Sequence, residues 1–324
     1  MFLATTADQR FWKTDEKVLF LGEWCRLYSQ KSVWSKLDHQ VLPYHWDDLE
    51  KRYHDSLYLY SVYESFLENL SSRLNELHGL NYSIRYWRVL VGPWLGRFIP
   101  IFYDAFLSIQ TAVDSGLVSK AWLSNTKSGQ YLPDSTGTYS SWVKSNEGYR
   151  HYLYSWVLNE FSEVNFEIQE ILLASPPLET SRSVSVSNSI KRGIKKLFGL
   201  FSKFYPESWS DLVVVNGFLP FWDTIKLKIS LRKFPLHLYD KIPAQNLPMA
   251  RGLREKLTPL PSENEFESLL GRIIPEQLPT VFVEGYRDMK KRSLATFPKH
   301  PRAILPGVQV YSDDGFKFWS AHQV

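Results

Sequence analysis

The sequence predicts an α/β fold, with a mostly parallel β-sheet covered on both faces by long helices. Two short apolar runs, at residues 18–21 and 211–216, have the composition of buried strands. Between them, apolar residues recur at three- and four-residue steps over long stretches, as they do in amphipathic helices. Strands that alternate with long helices are typical of a parallel sheet packed between helical layers.

The first apolar run stops abruptly at Gly22, which is followed by a glutamate, a tryptophan and the only cysteine of the chain. Glycine permits a tight exit from a strand. In open α/β sheets, ligands bind just outside the carboxyl ends of the strands. We therefore expect Glu23, Trp24 and Arg26 at the edge of a cleft, as a carboxylate, a stacking surface and a cation. The alternative is that Trp24 and the cysteine fill the core while Glu23 is solvated.

A second strand and a long helix are expected next. Residues 38–44 have strand composition. From Asp47 to Leu77 the apolar residues lie three or four positions apart, which predicts one long helix. Asp47 or Asp48 can cap its first turn, and Gly79 suits its end.

Helices and polar segments are expected to alternate further along the chain. A second helix is predicted to begin at Ser83 and to bend at Pro93, because an interior proline loses a backbone donor and clashes with the preceding turn. Residues 124–148, rich in Ser, Thr, Gly and Asn, indicate a long surface loop. Residues 149–173 are predicted to be helical. The Pro- and Ser-rich residues 175–188 are predicted to be a linker or an insertion.

The last strands and a final helix are expected near the end of the chain. Residues 211–216 repeat the buried-strand pattern and end in an Asn-Gly turn signal. Residues 302–305 and 309–311 are predicted to form the last strand region. Ser312 with Asp313 would cap the helix that follows.

Composition and charge exclude several classes of protein. Hydrophobic residues make up 44% of the chain and charged residues 22%, so the chain is globular and not disordered. A formal net charge of +4, without a recognisable motif, does not support nucleic-acid binding. No phosphate-binding loop, nucleophile elbow or paired Cys and His at metal spacing supports a kinase or a hydrolase. Aromatic residues reach 15%, and their faces stack on sugars as well as on one another.

The chain has the features of a cytoplasmic protein. Its single cysteine rules out an internal disulfide. The amino terminus lacks the basic start and apolar core of a signal peptide. No run of about 18 uncharged apolar residues is present, and the nearest, residues 89–109, carries Arg97 and Asp104.

Arg85 and Arg88 are candidates for binding an anion. Three positions apart on a helix, their side chains project from one face near its beginning. Two guanidinium groups at such a place can hold a diphosphate or a carboxylate bidentately. The alternative is that both form ion pairs at the surface or between domains.

Glu23 and His45 are the two candidates for a general base. Partial burial of Glu23 beside Trp24 would raise the pKa of its carboxyl group towards neutrality. His45 stands next to Trp46 and Asp47, and an imidazole titrates near neutral pH. Alternatively, the aspartates of this segment only cap the helix that follows.

Residues 190–204 are predicted to form a basic amphipathic helix, with one apolar stripe and no acidic residue. Such a helix can lie in an anionic membrane interface, which would place the protein at the inner face of a membrane. The alternative is a helix packed on the sheet with a solvated basic face. The candidate membrane contacts are Lys191, Arg192, Lys195, Lys196, Phe198 and Phe201.

Four aromatic-rich segments carry a resemblance to a known family. They are Leu-Gly-Glu-Trp-Cys at 21–25, Pro-Tyr-His-Trp-Asp-Asp at 43–48, Arg-Tyr-Trp-Arg-Val-Leu-Val-Gly-Pro-Trp-Leu at 85–95 and Tyr-Ser-Asp-Asp-Gly-Phe-Lys-Phe-Trp at 311–319. With these segments the chain resembles a family of bacterial transferases from surface-polysaccharide loci. The resemblance covers the first third of the chain and its end.

This resemblance implies a glycosyltransferase-like protein of the two-Rossmann-domain type, the glycosyltransferase-B architecture, with a Rossmann-like sheet. It implies transfer from a nucleotide-sugar donor to a glycan or lipid-linked acceptor, without a cofactor. The chain contains no Asp-x-Asp, which favours the metal-independent type, in which helix dipoles and cations stabilise the leaving diphosphate. The expected substrate contacts are Gly22, Trp24, Arg26, Trp46, Asp47, Arg85, Arg88 and Trp94.

Members of that family continue through a second half containing a Gln-His-Gly-Gly segment, so this chain is expected to be an amino-terminal half, incomplete at its carboxyl end. The expected division is an α/β segment at 1–174, a linker at 175–188, the remaining elements of the first domain at 189–301 and the start of a second domain at 302–324. The alternative to a transferase is a non-catalytic module that binds carbohydrate or membrane.

Overall fold

The structure is a computed structural model, and it describes residues 1–125, 129–161, 167–171, 212–214, 220–231 and 241–324. The predicted linker at 175–188 and the predicted basic helix at 190–204, with all six candidate membrane contacts, lie outside the described residues. Among the described residues, no helix is long and apolar enough to span a bilayer.

The central element is a five-stranded sheet in which all neighbouring strands are parallel. The strands are β1 (Phe2–Ala4), β2 (Val18–Phe20), β3 (His39–Val41), β4 (Lys120–Ser124) and β5 (Glu167–Ile171). Their order is β3-β2-β1-β4-β5, so the strand order reverses between β1 and β4. Two further strands, β6 (Leu212–Val214) and β7 (Ala303–Leu305), form a separate parallel pair. The predicted α/β fold with a Rossmann-like parallel sheet is confirmed.

The helices are α1 (Lys31–Trp34), α2 (Leu49–His78), α3 (Ile84–Leu90), α4 (Gly92–Asp114), α5 (Thr136–Ser145), α6 (Glu147–Glu160), α7 (Phe221–Ser230), α8 (Arg251–Arg254), α9 (Glu265–Gln277), α10 (Tyr286–Thr296) and α11 (Asp314–His322). β1 and β2 are wholly buried, as a strand covered on both faces must be. Helices α4 and α6 pack against each other, and α6 also packs against β4.

The predicted ends of α2 are confirmed. The Asp48 side chain accepts hydrogen bonds from the backbone of Glu50 and Lys51, which satisfies two of the free N–H groups in the first turn. Gly79 adopts a left-handed φ of 66° and closes the last turn. Both signals depend on neighbouring residues alone, which is why the sequence predicts them.

The prediction of a single helix that bends at Pro93 is wrong, because two separate helices are present. Ser83 precedes α3, as expected, but α3 ends at Leu90 and α4 begins at Gly92. Pro93 therefore lies in the first turn of a new helix, where its missing N–H group costs nothing.

Two predictions around residues 124–148 and 149–173 need correction. The expected loop contains α5, whose first turn is capped by the Ser135 hydroxyl. The expected helix ends at Glu160, and the strand β5 follows it. Composition indicated a loop because Ser and Thr dominate the segment, whereas burial of Tyr139 against its neighbours outweighs that local tendency.

Towards the end of the chain, the strands predicted at 211–216 and 302–305 are present as β6 and β7. Residues 309–311 belong to a 3₁₀ turn and not to a strand, so that prediction is wrong. Asp313 caps α11 by accepting from Phe316 N, as predicted. Helix α11 packs against α3 and α10. The division into domains stays a prediction.

Two charged residues of the segment 311–319, Asp314 and Lys317, form a buried ion pair. The Lys317 ammonium is 0% exposed and lies 2.7 Å from the Asp314 carboxylate. It also donates to Leu90 O at the end of α3 and to the Thr136 hydroxyl at the start of α5. Asp314 in turn accepts from the backbone and hydroxyl of Thr136. This network ties three helices together.

Candidate functional site

The strands β1, β2 and β3 end at one edge of the sheet, and the segments that follow them meet there. After β2, the Trp24 indole donates a hydrogen bond to Thr5 O, which follows β1, at 3.2 Å. The Trp24 ring crosses so close to Gly22 that a Cβ on Gly22 would lie 2.1 Å from it. Glycine is therefore required at this position by the close approach of the indole.

A cavity of about 300 Å³ opens beside this edge of the sheet. This volume is at the lower end of the range for small-molecule sites. Within the described part of the chain, its walls come from the β2 exit, α4, α5 and α6. These wall residues are aromatic and apolar apart from one carboxylate and one guanidinium group. The lining residues that matter for chemistry are Trp24, Asp104, Tyr149, Arg150 and Tyr154.

Two parallel aromatic rings form part of the cavity wall. The planes of Trp24 and Tyr154 differ by 9°, with ring centroids 6.4 Å apart, and Tyr44 meets Trp24 edge-on at 5.6 Å. Burial raises the pKa of Tyr154 well above its usual value, so the phenol stays neutral. Neutral aromatic faces of this kind provide flat apolar surface with a polar edge.

His45 and Asp104 form a histidine–carboxylate pair at this edge. His45 Nε2 lies 3.3 Å from Asp104 Oδ1, and the side chains are 7% and 24% exposed. Within the described residues, neither atom has a hydrogen-bond partner, so the two atoms lie close together without the geometry of a hydrogen bond. Burial and the negative charge of Asp104 raise the pKa of Tyr44. The Asp104 carboxylate therefore lies beside the imidazole, where it can orient the ring.

Arg150 contributes a guanidinium group to the cavity wall, where it pairs with Glu147. Its guanidinium group donates to the backbone carbonyls of Val143 and Lys144 and to the Glu147 carboxylate. The other oxygen of Glu147 accepts from Ala7 N, beyond β1. The cation is thus fixed between the end of α5 and the β1 exit, on one wall of the cavity.

Glu23 is not buried as expected. Its side chain is 73% exposed and forms a salt bridge with Arg26, with one N–O distance of 2.6 Å. Arg26 also contacts His39 Nε2 at 3.2 Å and lies over the Trp34 ring. The expected burial of Glu23 beside Trp24 is therefore wrong, because Arg26 holds the carboxylate towards solvent. Its role as a base stays a prediction without geometric support.

The two arginines of α3 differ in their surroundings. Arg88 forms a bidentate pair with Glu64 on α2, at 2.6 and 2.7 Å, which lowers the pKa of Glu64. Arg85 is exposed and has no ion pair among the described residues. Because Glu64 already neutralises Arg88, the two guanidinium groups of Arg85 and Arg88 are not both free to bind a diphosphate in this arrangement.

Trp94 requires a correction. It is wholly buried and stacks on Phe98 at 5.0 Å, so it packs in the core of the described structure, and it does not line the cavity at the sheet edge. Trp46 donates to the Asp55 carboxylate and lines a second, larger cavity between α2 and α4. Asp47 is exposed, one position before the capping residue of α2.

Within the described residues, no group of three or more His, Cys, Asp and Glu side chains is arranged to hold a metal ion. The sequence model of the LIC12162 family transferases matches residues 1–324. The chain belongs to this family of transferases. Comparisons with curated proteins and with solved structures returned no match.

The roles of the predicted site residues stay predictions, but the structure shows where these residues lie. Trp24, Trp46 and His45 lie at cavities or at the edge of the sheet, as their position after strands β2 and β3 indicated. Asp104 and Arg150 also line the cavity, and the sequence does not predict this because they lie on helices far along the chain. The one indication in the sequence is that Asp104 is a charged residue within a long apolar helix.

Proposed function

We propose that this LIC12162 family transferase moves a sugar from a nucleotide-activated donor to a glycan or lipid-linked acceptor, in the assembly of a bacterial surface polysaccharide. The observation that carries the proposal is the aromatic-walled cavity at the carboxyl edge of a parallel sheet, with the His45–Asp104 pair beside it. Ligands of open α/β sheets bind at this edge, and aromatic faces suit the apolar faces of sugar rings.

The chemistry follows from the pair. The acceptor hydroxyl loses its proton to the imidazole of His45 while its oxygen bonds to the anomeric carbon of the donor. The bond from that carbon to the diphosphate breaks, and the nucleoside diphosphate leaves with the electron pair. Asp104 stabilises the imidazolium that results. Such general-base catalysis contributes about 10²–10⁴-fold to the rate.

Metal independence is part of the proposal, and it is supported by the absence of Asp-x-Asp from the sequence. Without a metal, fixed cations and helix dipoles must stabilise the negative charge that develops on the diphosphate. Turnover that persists unchanged in excess EDTA is the expected result. A loss of turnover in EDTA that added Mg²⁺ or Mn²⁺ restores would contradict metal independence.

The direct test is the release of nucleoside diphosphate from a panel of UDP-, GDP- and dTDP-sugars in the presence of methyl glycoside acceptors. His45→Ala should lower turnover at least 100-fold, and Asp104→Asn should lower it by a smaller factor. His54→Ala is the matched control, since His54 is an exposed histidine of α2. Full turnover by His45→Ala would refute the assigned base. Saturable glycoside binding without any release would favour a non-catalytic carbohydrate-binding module.

An anionic membrane surface is the proposed place of action, through the basic segment 190–204. The test is co-sedimentation with liposomes with and without anionic lipid at low salt. Replacing Lys195 and Lys196 by Glu should abolish binding, and equal binding to neutral liposomes would contradict an electrostatic contact.

A further inference from the structure

The cavity between α2 and α4 has about twice the volume of the one beside the sheet edge, about 610 Å³ compared with 300 Å³. Its walls are mostly apolar or aromatic, with Trp46, Tyr60 and Tyr63 on one side and Gly96 and Pro100 on the other. An apolar cavity of this size with few polar groups is typical of a small-molecule site.

One cation of this cavity has no partner in the described part of the chain. Arg88 contributes to the wall, but its guanidinium group is neutralised by Glu64. Arg52 also lines the cavity, is exposed, and forms no ion pair with any described residue. Its positive charge acts on the Tyr44 phenol and opposes the rise in the pKa of that group. Arg52 is therefore an available anion-binding group near the sheet edge.

An exposed apolar stripe on α2 continues from the cavity. Leu49, Tyr53, Leu57 and Tyr60 lie at four- and three-residue steps, on one face of the helix, and are 53–66% exposed. Tyr60 belongs both to the stripe and to the cavity wall. A long apolar ligand could thus enter the cavity along the stripe.

The cavity also adjoins the proposed catalytic pair. Trp46, on its wall, follows His45 directly in the chain, and the two rings are in edge contact at 4.9 Å. Consider a ligand with an apolar tail and an anionic head group. If the tail fills the cavity and the head group binds Arg52, the head group lies near His45 at the sheet edge.

From these observations we infer that the cavity between α2 and α4 binds the hydrocarbon chain of a lipid-linked glycan acceptor, with Arg52 binding the phosphate that joins the lipid to the glycan and with a glycan hydroxyl as the group that reacts at His45. The inference rests on the proposed function, since it names the acceptor class of the same site. Charge complementarity decides the occupant: a neutral lipid would leave Arg52 unused, and a free phosphate would leave the apolar walls unused.

The test is a calorimetric titration of the 324-residue chain with octyl and decyl phosphate below their micelle concentrations. Each buried methylene increases affinity about fourfold, so decyl phosphate, which has two more methylenes, should bind roughly fifteenfold tighter than octyl phosphate. Decyl maltoside should bind at least tenfold more weakly than decyl phosphate, and inorganic phosphate should not bind measurably. No sugar donor is present, so this result is independent of whether transfer occurs.

Two variants fill the cavity from opposite helices. Ser56 is an exposed residue of α2 on the cavity wall, and within the described residues its hydroxyl bonds only to its own helix. We therefore expect Ser56→Trp to block the cavity without disturbing the fold. Gly96→Leu does the same from α4, because a Cβ there would meet the Tyr63 ring at an ordinary 3.6 Å. Each should weaken decyl phosphate binding at least tenfold.

The charge is tested by Arg52→Glu, which should also weaken decyl phosphate binding at least tenfold while leaving decyl maltoside unchanged. Arg73→Glu is the matched control, because Arg73 is on the same helix but away from the cavity. Tight binding that survives both filling variants would overturn the inference. So would equal binding of decyl maltoside, binding of inorganic phosphate alone, or a dimer of the chain that Ser56→Trp disrupts with alkyl phosphate binding unchanged.

Discussion

Lowering the pH from 7 to 4 should destabilise the fold through the buried imidazole of His151. This ring is stacked on Phe11, with centroids 4.5 Å apart, and its Nδ1 is 2.8 Å from the Thr5 hydroxyl. Its Nε2 is buried without a hydrogen-bond partner in the described structure. A proton placed on that atom would therefore bring a charge into an apolar site.

The magnitude follows from the pKa. Burial lowers the pKa of His151 from 6.5 to about 4, and the Asp8 carboxylate offsets this only in part. Between about pH 4 and pH 6.5, His151 is protonated in the unfolded chain and neutral in the folded chain. Stability is therefore highest above pH 6.5 and falls as the pH drops towards 4. The loss reaches about 2 kcal/mol by pH 5 and about 3 kcal/mol by pH 4.

Urea unfolding at pH 7 and pH 5 measures this effect. His151→Phe retains a ring against Phe11 but cannot titrate, so it should lose about 2 kcal/mol less than the wild type between the two pH values. His54→Phe removes an exposed histidine and should behave like the wild type. An equal loss in His151→Phe and the wild type would refute the assignment.

Three further predictions concern other buried groups. Lys317→Met leaves the Asp314 carboxylate buried without its cation and should lower the free energy of unfolding by about 3–5 kcal/mol; a urea titration showing less than about 1 kcal/mol would contradict this. Gly22→Val must displace the Trp24 indole, so intrinsic fluorescence should shift and glycoside affinity should fall while helical circular dichroism is retained. Burial raises the pKa of the Cys25 thiol to about 12, so Ellman's reagent should react with it only in urea, and rapid labelling of the native chain would be the contrary result.

Features that depend on neighbouring residues were predictable from the sequence. The strand at residues 18–20, its exit at Gly22, and the two ends of α2 at Asp48 and Gly79 all follow from local patterns. The salt bridge of Glu23 with a cation three positions later is also local. The neighbouring tryptophan favours burial of Glu23 in the sequence, whereas the salt bridge keeps its carboxylate in solvent.

Features that depend on tertiary packing were not predictable. Helix α5 exists in a segment of loop composition because Tyr139 is buried against distant rings. Asp104 reaches His45, and Tyr154 reaches Trp24, only once α4 and α6 pack beside the sheet. A single sequence contains no signal for such pairings, so the aromatic cavity could not be assembled from it.

The central claim is that the cavity at the sheet edge binds a sugar, and saturation-transfer NMR with methyl glycosides tests it most directly. Val143 lines this cavity, so Val143→Trp should fill it and remove the transfer signal. Val113→Trp alters a partly buried valine away from it and should leave the signal intact. The account predicts binding to the wild type and to Val113→Trp only. Undiminished binding to Val143→Trp, or no binding to the wild type, would contradict it.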